Sequence, residues 1–252
     1  MFVPGEYVFP FSYQLERTLP GSFQLSNRHA GSVRNIRAQV KYEFTASQPV
    51  QGAFRADLET KRELLVFPVP AARIIRPMKR STSTKVSMMT IFRKVSCQLS
   101  VSMVRDVYTP GEKMTVRCSL FNSSKMNVQA LSLRLYEDLV LHHKKDGITK
   151  TSTCLCEGKF SGVIAGDSAD RTVSLYLIEW LSGIAIRPST TSRFVSWSYR
   201  VEVRCTFLMS PSVTLEFPVT IAHQNSMLQA ASVPDAASEY PIHESMRKRL
   251  LK

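Results

Sequence analysis

The chain has 252 residues, 44% of them hydrophobic and 21% charged, with a formal net charge of +13. That is the balance of a folded globular chain, and no apolar run reaches the roughly 18–20 residues that a bilayer-spanning helix needs. Pro4, Glu6 and Pro10 interrupt the only apolar stretch near Met1, so a secretory signal is not expected and the cytosol is the default compartment. The positive charge draws such a chain to polyanions, whether anionic lipid, nucleic acid or acidic and phosphorylated protein segments, without choosing among them.

Taken in chain order, residues 5–23 (GEYVFPFSYQLERTLPGSF) read as a strand, a bend and a second strand. Ile36, Ala38, Val40, Tyr42 and Phe44 alternate with polar residues, the period of a strand with one buried face. Residues 68–94 then carry three prolines, a Ser/Thr run and no acid, with Arg73, Arg76, Lys79, Arg80, Lys85, Arg93 and Lys94 as the charges. This composition predicts a basic linker over 71–95 between a first unit at 1–70 and a second at 96–223. Strand alternation resumes through Cys97, Leu99, Val101 and Met103, and again through Met114, Val116, Cys118 and Leu120. Between them Thr109-Pro110-Gly111-Glu112 has the proline and glycine positions of a type II turn. Leu131, Leu133 and Leu135 mark another strand, as do Leu215, Phe217, Val219 and Ile221, where Pro218 on the outward side predicts an edge position. The clearest strand is 195–207, with Val195, Trp197, Tyr199, Val201, Val203, Cys205 and Phe207 on one side and polar residues on the other. Beyond about 223 the alternation stops, and 224–252 reads as a disordered tail.

Several stretches together resemble the arrestin family. Phe9-Pro10-Phe11-Ser12-Tyr13, Leu19-Pro20-Gly21-Ser22-Phe23 and Val40-Lys41-Tyr42 resemble successive segments of the arrestin N-domain. Residues 107–137 resemble the Pro-Gly-Glu turn, the Asn-x-Ser turn and the strands after each in the C-domain, 186–203 its Pro-Ser segment and following strand, and 215–222 its closing strand. The likeness covers most of 4–223, and the α-arrestins, trafficking adaptors that contain arrestin domains, look closest. The resemblance implies an all-β chain of two tandem arrestin-type, immunoglobulin-like β-sandwiches with a flexible C-terminal tail. In the family several strands precede the Phe-Pro-Phe-Ser segment. The first sandwich here is therefore expected to be incomplete, with the sequence itself truncated at its start. Half a sandwich exposes an apolar face and open edges, which a partner or the second unit would have to cover.

The resemblance also implies a non-catalytic adaptor that engages cytoplasmic tails of membrane proteins and directs their endocytosis or sorting, held peripherally at the plasma membrane or endosomes. The residues themselves agree on the absence of an enzyme constellation. No serine elbow, phosphate-cradling glycine loop or His-Glu-x-x-His motif is present, and no cofactor is expected. Ala165-Gly-Asp-Ser-Ala-Asp170 reads as a hairpin loop. Cys154-x-Cys156 is expected to place two thiols on one side of a strand, with His142-His143 nearby, and the preferred reading is core cysteines and no metal. The five cysteines are an odd number without framework spacing, consistent with reduced core thiols.

The sharpest feature outside the core is the basic run. Arg73, Arg76, Lys79, Arg80 and Lys85 are the candidate contacts for anionic phospholipid or a phosphorylated cargo tail, against the reading of a solvated linker. In the tail, Arg247, Lys248, Arg249 and Lys252 would contact a membrane if the segment were helical. α-Arrestins recruit ubiquitin-ligase machinery through Pro-Pro-x-Tyr motifs, and this chain has none. Two rival readings stand beside the adaptor. One is a coat-type scaffold subunit that binds other proteins, like the arrestin-fold subunit of retromer. The other is a nucleic-acid-binding β protein, against which Tyr42, Phe44, Trp197, Tyr199 and Phe207 all fall on the buried parity.

Overall fold

The computed structural model describes residues 6–25, 38–49, 57–68, 77–85, 96–142, 147–178 and 186–223. These residues form strands and connecting turns without helix. In chain order the strands are β1 (Phe23–Leu25), β2 (Ala38–Val40), β3 (Tyr42–Gln48), β4 (Leu58–Leu64), β5 (Met78–Lys85), β6 (Ser96–Met103) and β7 (Val107–Tyr108). They continue with β8 (Lys113–Asn122), β9 (Val128–His142), β10 (Ile148–Val163), β11 (Ser168–Tyr176), β12 (Thr190–Thr191), β13 (Val195–Phe207) and β14 (Val213–Ile221).

Two sheets enclose one core. The larger runs β10-β9-β13-β14-β7, with β12 added on β13, and the smaller runs β11-β8-β6-β5. Their inward residues follow the alternation of the sequence. Met114, Val116, Cys118 and Leu120 of β8 face Val201, Val203 and Cys205 of β13 within a continuous buried cluster. A strand with one apolar face gains its stability by burying that face against a second sheet. β13 is central in its sheet, paired with β9 over its whole length, with a register shift between Thr206 and Phe207, and with β14 over Tyr199–Cys205. Beyond β14, among the described residues, there is a short parallel pairing with β7 at Thr220 and Ile221. Pro218, exposed, stands on the stretch of β14 without a second neighbour, as its missing N–H requires.

The linker expected over 71–95 is corrected in its middle. Residues 78–85 form β5, paired antiparallel with β6 from Met78↔Met103 to Lys85↔Ser96. Met78 packs on the core cluster and Thr82 is half-buried. The alternation is therefore present, but carried by Met78 and Thr82 in a stretch that reads as linker composition.

A bulge corrects the Cys-x-Cys expectation. The β10–β9 register shifts between Cys154 and Cys156, so Cys154 pairs Tyr136 and Cys156 pairs Leu135. Adjacent residues on β9 point to opposite faces, and the two thiols therefore do not share a side. Gly162 near the end of β10 is required sterically: a Cβ there would lie 1.7 Å from the Val128 carbonyl oxygen.

The N-terminal segments rest on one end of this sandwich. The Phe23 ring meets Trp197 edge-on at 6.1 Å, and Leu25 is buried in the same cluster as the core. Gly21 N donates to Thr190 Oγ1 at 2.9 Å, and Arg187 Nη1 donates to the Gln24 carbonyl at 2.6 Å. Farther out, the β3–β4 hairpin is exposed, with Leu58 and the following Leu65 open to solvent.

Candidate functional site

The two ends of the sandwich differ in chemistry. At one end the β8–β9, β10–β11 and β13–β14 connections gather, because Phe207 and Val163 both pair with Val128 and Cys97 pairs with Asn122. Asn122 organises this end. It is fully buried, and its Nδ2 donates to the carbonyls of Met126 (2.8 Å) and Ile164 (3.1 Å), while its Oδ1 accepts from Ser124 N at 3.2 Å. Ala165 N donates to Asn127 Oδ1 at 2.8 Å, and Gly166, at φ +81°, closes the β10–β11 turn. Large apolar side chains stand out into solvent at this end: Ile164, whose carbonyl the Asn122 amide holds, is 63% exposed, and Leu208 and Met209 are each 72% exposed. Exposed Lys125 lies in the same loop set, and Lys85, in register with Ser96, ends β5 at this end. The sequence reading missed the apolar tips. Their signal is Leu208-Met209 standing between the end of a strand and Ser210-Pro211, where a turn ordinarily takes polar residues.

The basic residues named from the sequence are distributed differently. Lys79 is exposed on β5, on the outer face of the smaller sheet, in register with Ser102. Arg80 turns toward the other sheet. Its Nη1 donates to the Glu216 carbonyl of β14 at 2.6 Å, and its guanidinium lies 5.4 Å from the Phe217 ring centroid. Arg80 thus braces the open side of the sandwich. Arg73, Arg76, Arg247, Lys248, Arg249 and Lys252 lie outside the described residues.

At the opposite end a groove of about 730 Å³ runs between the N-terminal segments and the sandwich, lined among others by Phe23, Val40, Leu65, Arg187 and Trp197. Beneath it Glu137 points inward from β9, and Tyr199 Oη donates to its Oε2 at 3.4 Å and to the Arg187 carbonyl at 2.7 Å. Burial holds the Glu137 carboxyl above its ordinary range, against the nearby Arg187 charge and the Tyr199 hydroxyl.

No cluster of three or more metal-ligating side chains occurs among the described residues, and His143 lies outside them. Burial pushes the Cys97 thiol up to about 11 and those of Cys118, Cys156 and Cys205 up to about 12. These thiols remain protonated and unreactive at neutral pH. The 165–170 stretch is a hairpin turn leading into β11, where Asp170 accepts from Arg117 at 2.6 and 3.2 Å.

Residues 94–226 match the family model "Arrestin (or S-antigen), C-terminal domain", which is more than half of the chain. The chain belongs to the arrestin family. It is also similar to "Arrestin domain-containing protein A" of Dictyostelium discoideum, 24% identical over 219 residues, which are 86% of this chain and 35% of that protein. The chain thus spans about a third of the length of that relative. The arrestin-type turns have physical reasons here. In the Pro-Gly-Glu turn, Gly111 sits at φ +86°, a conformation that glycine adopts without strain. Glu112 Oε2 accepts from Thr109 N at 2.9 Å and pairs with Arg105 at 3.1 Å, and Arg105 in turn covers Tyr108 at 4.6 Å. The Asn-x-Ser turn is the Asn122 hub, whose buried amide leaves no room for a glycan.

Proposed function

We propose that this chain is a non-catalytic arrestin-type adaptor that binds cytoplasmic parts of membrane proteins and directs their endocytosis or sorting. In this reading it is cytoplasmic and sits peripherally on the bilayer, with the Ile164 and Leu208-Met209 end against the lipid. That apolar end is the observation that carries the reading. Three large apolar side chains on turns at one end are costly to leave in water. Transferring a leucine-sized side chain to an apolar phase yields about 1.5–3 kcal/mol. Nearby cations add about 1 kcal/mol each at an anionic surface. Lys125 and Lys85 supply that second contribution, with Arg73, Arg76 and Lys79 as further lipid or phospho-cargo contacts. Neither contribution alone holds a protein firmly on a membrane; together they give reversible docking beside a cargo tail.

The test is co-sedimentation of the full chain with phosphatidylcholine vesicles containing or lacking phosphatidylserine. Binding to the anionic vesicles is expected, weakening with salt, and lost in the Leu208→Asp/Met209→Asp double variant at unchanged thermal stability. Equal binding by that variant would remove the membrane-facing role of this end. The coat-type scaffold reading draws on the exposed Leu58 and Leu65 of the β3–β4 region, which suit a soluble protein partner. Neutralising the positives from Arg73 to Lys85 separates the two. Cargo binding at a membrane weakens and loses salt sensitivity, while scaffold assembly is unchanged.

A further inference from the structure

We propose that β5 is the acceptor for an added strand, and that the strand it takes is an extended acidic segment of a partner protein. The inference deepens the adaptor reading and rests on it for the partner's role. Its physical basis is the contrast among the sheet edges. A strand at a sheet edge presents unpaired N–H and C=O groups, and proteins ordinarily blunt it. β14, on the same side of the sandwich, is blunted twice: Pro218 has no N–H, and Arg80 occupies the Glu216 carbonyl. β10 is blunted by its register shift at Cys154/Cys156 and by Arg171, whose Nη1 and Nη2 donate to the carbonyls of Ser161 and Gly162. β11 carries both signs of charge, with Asp170 bound to Arg117. β5 carries charge of one sign only, Lys79 and Arg80 among it, and lacks the other devices. It pairs with β6 from Met78 to Lys85 without proline or register shift, and among the described residues no strand pairs with its other side.

Charge selects the occupant. The strand reads Met-Lys-Arg-Ser-Thr-Ser-Thr-Lys, with three cations and no acid. Like charges directly opposite one another disfavour pairing, so two copies of β5 do not add to each other through this edge. An acidic extended peptide meets the opposite sign and also supplies the main-chain groups that the edge lacks. Main-chain bonds give such additions their affinity, and alternate side chains give their specificity. Exposed Lys79, on the outer face, is the position that reads an acid, and the hydroxyls of exposed Ser81 and Ser83 leave that face uncrowded.

The probe is a fluorescent peptide of about ten residues alternating glutamate with valine, the length of an ordinary strand, titrated into the full chain. Three comparisons accompany it: the peptide with lysine in place of glutamate, the glutamate peptide N-methylated at alternate residues, and the Lys79→Glu protein. Saturable binding of the glutamate peptide is expected. The lysine and N-methylated peptides should fail, Lys79→Glu should weaken binding by at least about fivefold, and hydrogen-exchange protection should rise within 78–85. Equal binding of the N-methylated peptide would reduce the site to unspecific electrostatics and overturn the proposal. So would protection that appears elsewhere, an unaffected Lys79→Glu protein, or no peptide binding together with edge amides already protected in the free chain, which assigns the edge to a segment of this chain. The assay uses neither vesicles nor cargo. Failure of the membrane test with success here leaves β5 as an acceptor and removes only the lipid-facing end.

Discussion

Replacing Asn122 by alanine tests the end of the sandwich from its centre. The side chain is fully buried, and its amide joins the β8–β9 loop to the β10–β11 turn. In Asn122→Ala the main-chain bonds Asn122 N→Asp167 O and Gly166 N→Asn122 O can persist. The Met126 carbonyl keeps the Ser124 hydroxyl at 3.0 Å. The Ile164 carbonyl keeps Asp167 N at 3.3 Å, while the buried Ser124 N loses its partner. A buried polar group left unsatisfied costs about 1–3 kcal/mol, which is the loss expected here. Urea unfolding at neutral pH reads it as a lower midpoint at unchanged slope. The same variant should bind anionic vesicles more weakly, because the turn that carries Ile164 loses its side-chain tie to the β8–β9 loop. Asn122→Asp is the stricter control. It keeps the shape and the acceptor but sets a carboxylate against carbonyl oxygens, so its loss at neutral pH is at least as large and is relieved as the acid is protonated. A loss below about 1 kcal/mol in Asn122→Ala would mean that water replaces the amide, and the hub argument would fall.

Three other outcomes follow from single contacts. Because burial raises the Glu137 carboxyl above its ordinary 4.5, the folded state binds that proton more tightly than the unfolded chain. This contribution to stability is full below the ordinary value and is lost as pH rises through the folded value. Glu137→Gln should lack that decline and be the more stable protein at neutral pH, as read by urea unfolding across a pH series. Gly162→Ala forces a methyl group against the Val128 carbonyl and should cost about 3 kcal/mol or abolish folding, seen as a lower Tm. Phe23→Ala should cost about 1–2 kcal/mol through the lost contact with Trp197. In a Trp180→Phe background it should red-shift tryptophan emission as Trp197 becomes wetted.

What the sequence made legible depended on how each residue satisfies its surroundings. The alternation of 195–207 is met by burial of Val195 through Phe207 on the inward side, because apolar area on a strand has only one way to leave water. Glu202 breaks the pattern: it is outward by parity yet buried. It pairs with Arg134 of the neighbouring strand at 3.4 Å and with Arg204 of its own strand at 3.0 Å, and the cross-strand pairing leaves no mark in local sequence. Glu137 is the converse, an acid on the inward parity among leucines, with Tyr199 of the neighbouring strand as a partner. The Cys154/Cys156 bulge was invisible for a related reason. A bulge is set by what the neighbouring strand demands, and both residues would suit either face.

The strand least legible in sequence is also the one with the most open chemistry. β5 reads as a linker because its residues are those that water solvates well, and such residues are also what keeps an exposed edge soluble. A bare, uncharged, apolar edge would have been recognised as a strand at once, and would also have aggregated. The cations that disguise β5 therefore impose a choice on any strand that approaches it, excluding its own kind and admitting an acid. The apolar tips at Ile164 and Leu208-Met209 show the opposite compromise. The Asn122 framework ties down the turn that carries Ile164, while Leu208 and Met209 stand exposed on the β13–β14 connection. Both features sit on one sandwich, where β5 ends at the same end as the tips. An acidic segment lying along β5 would thus leave the sandwich at the end that carries these apolar tips, the end proposed to face the bilayer.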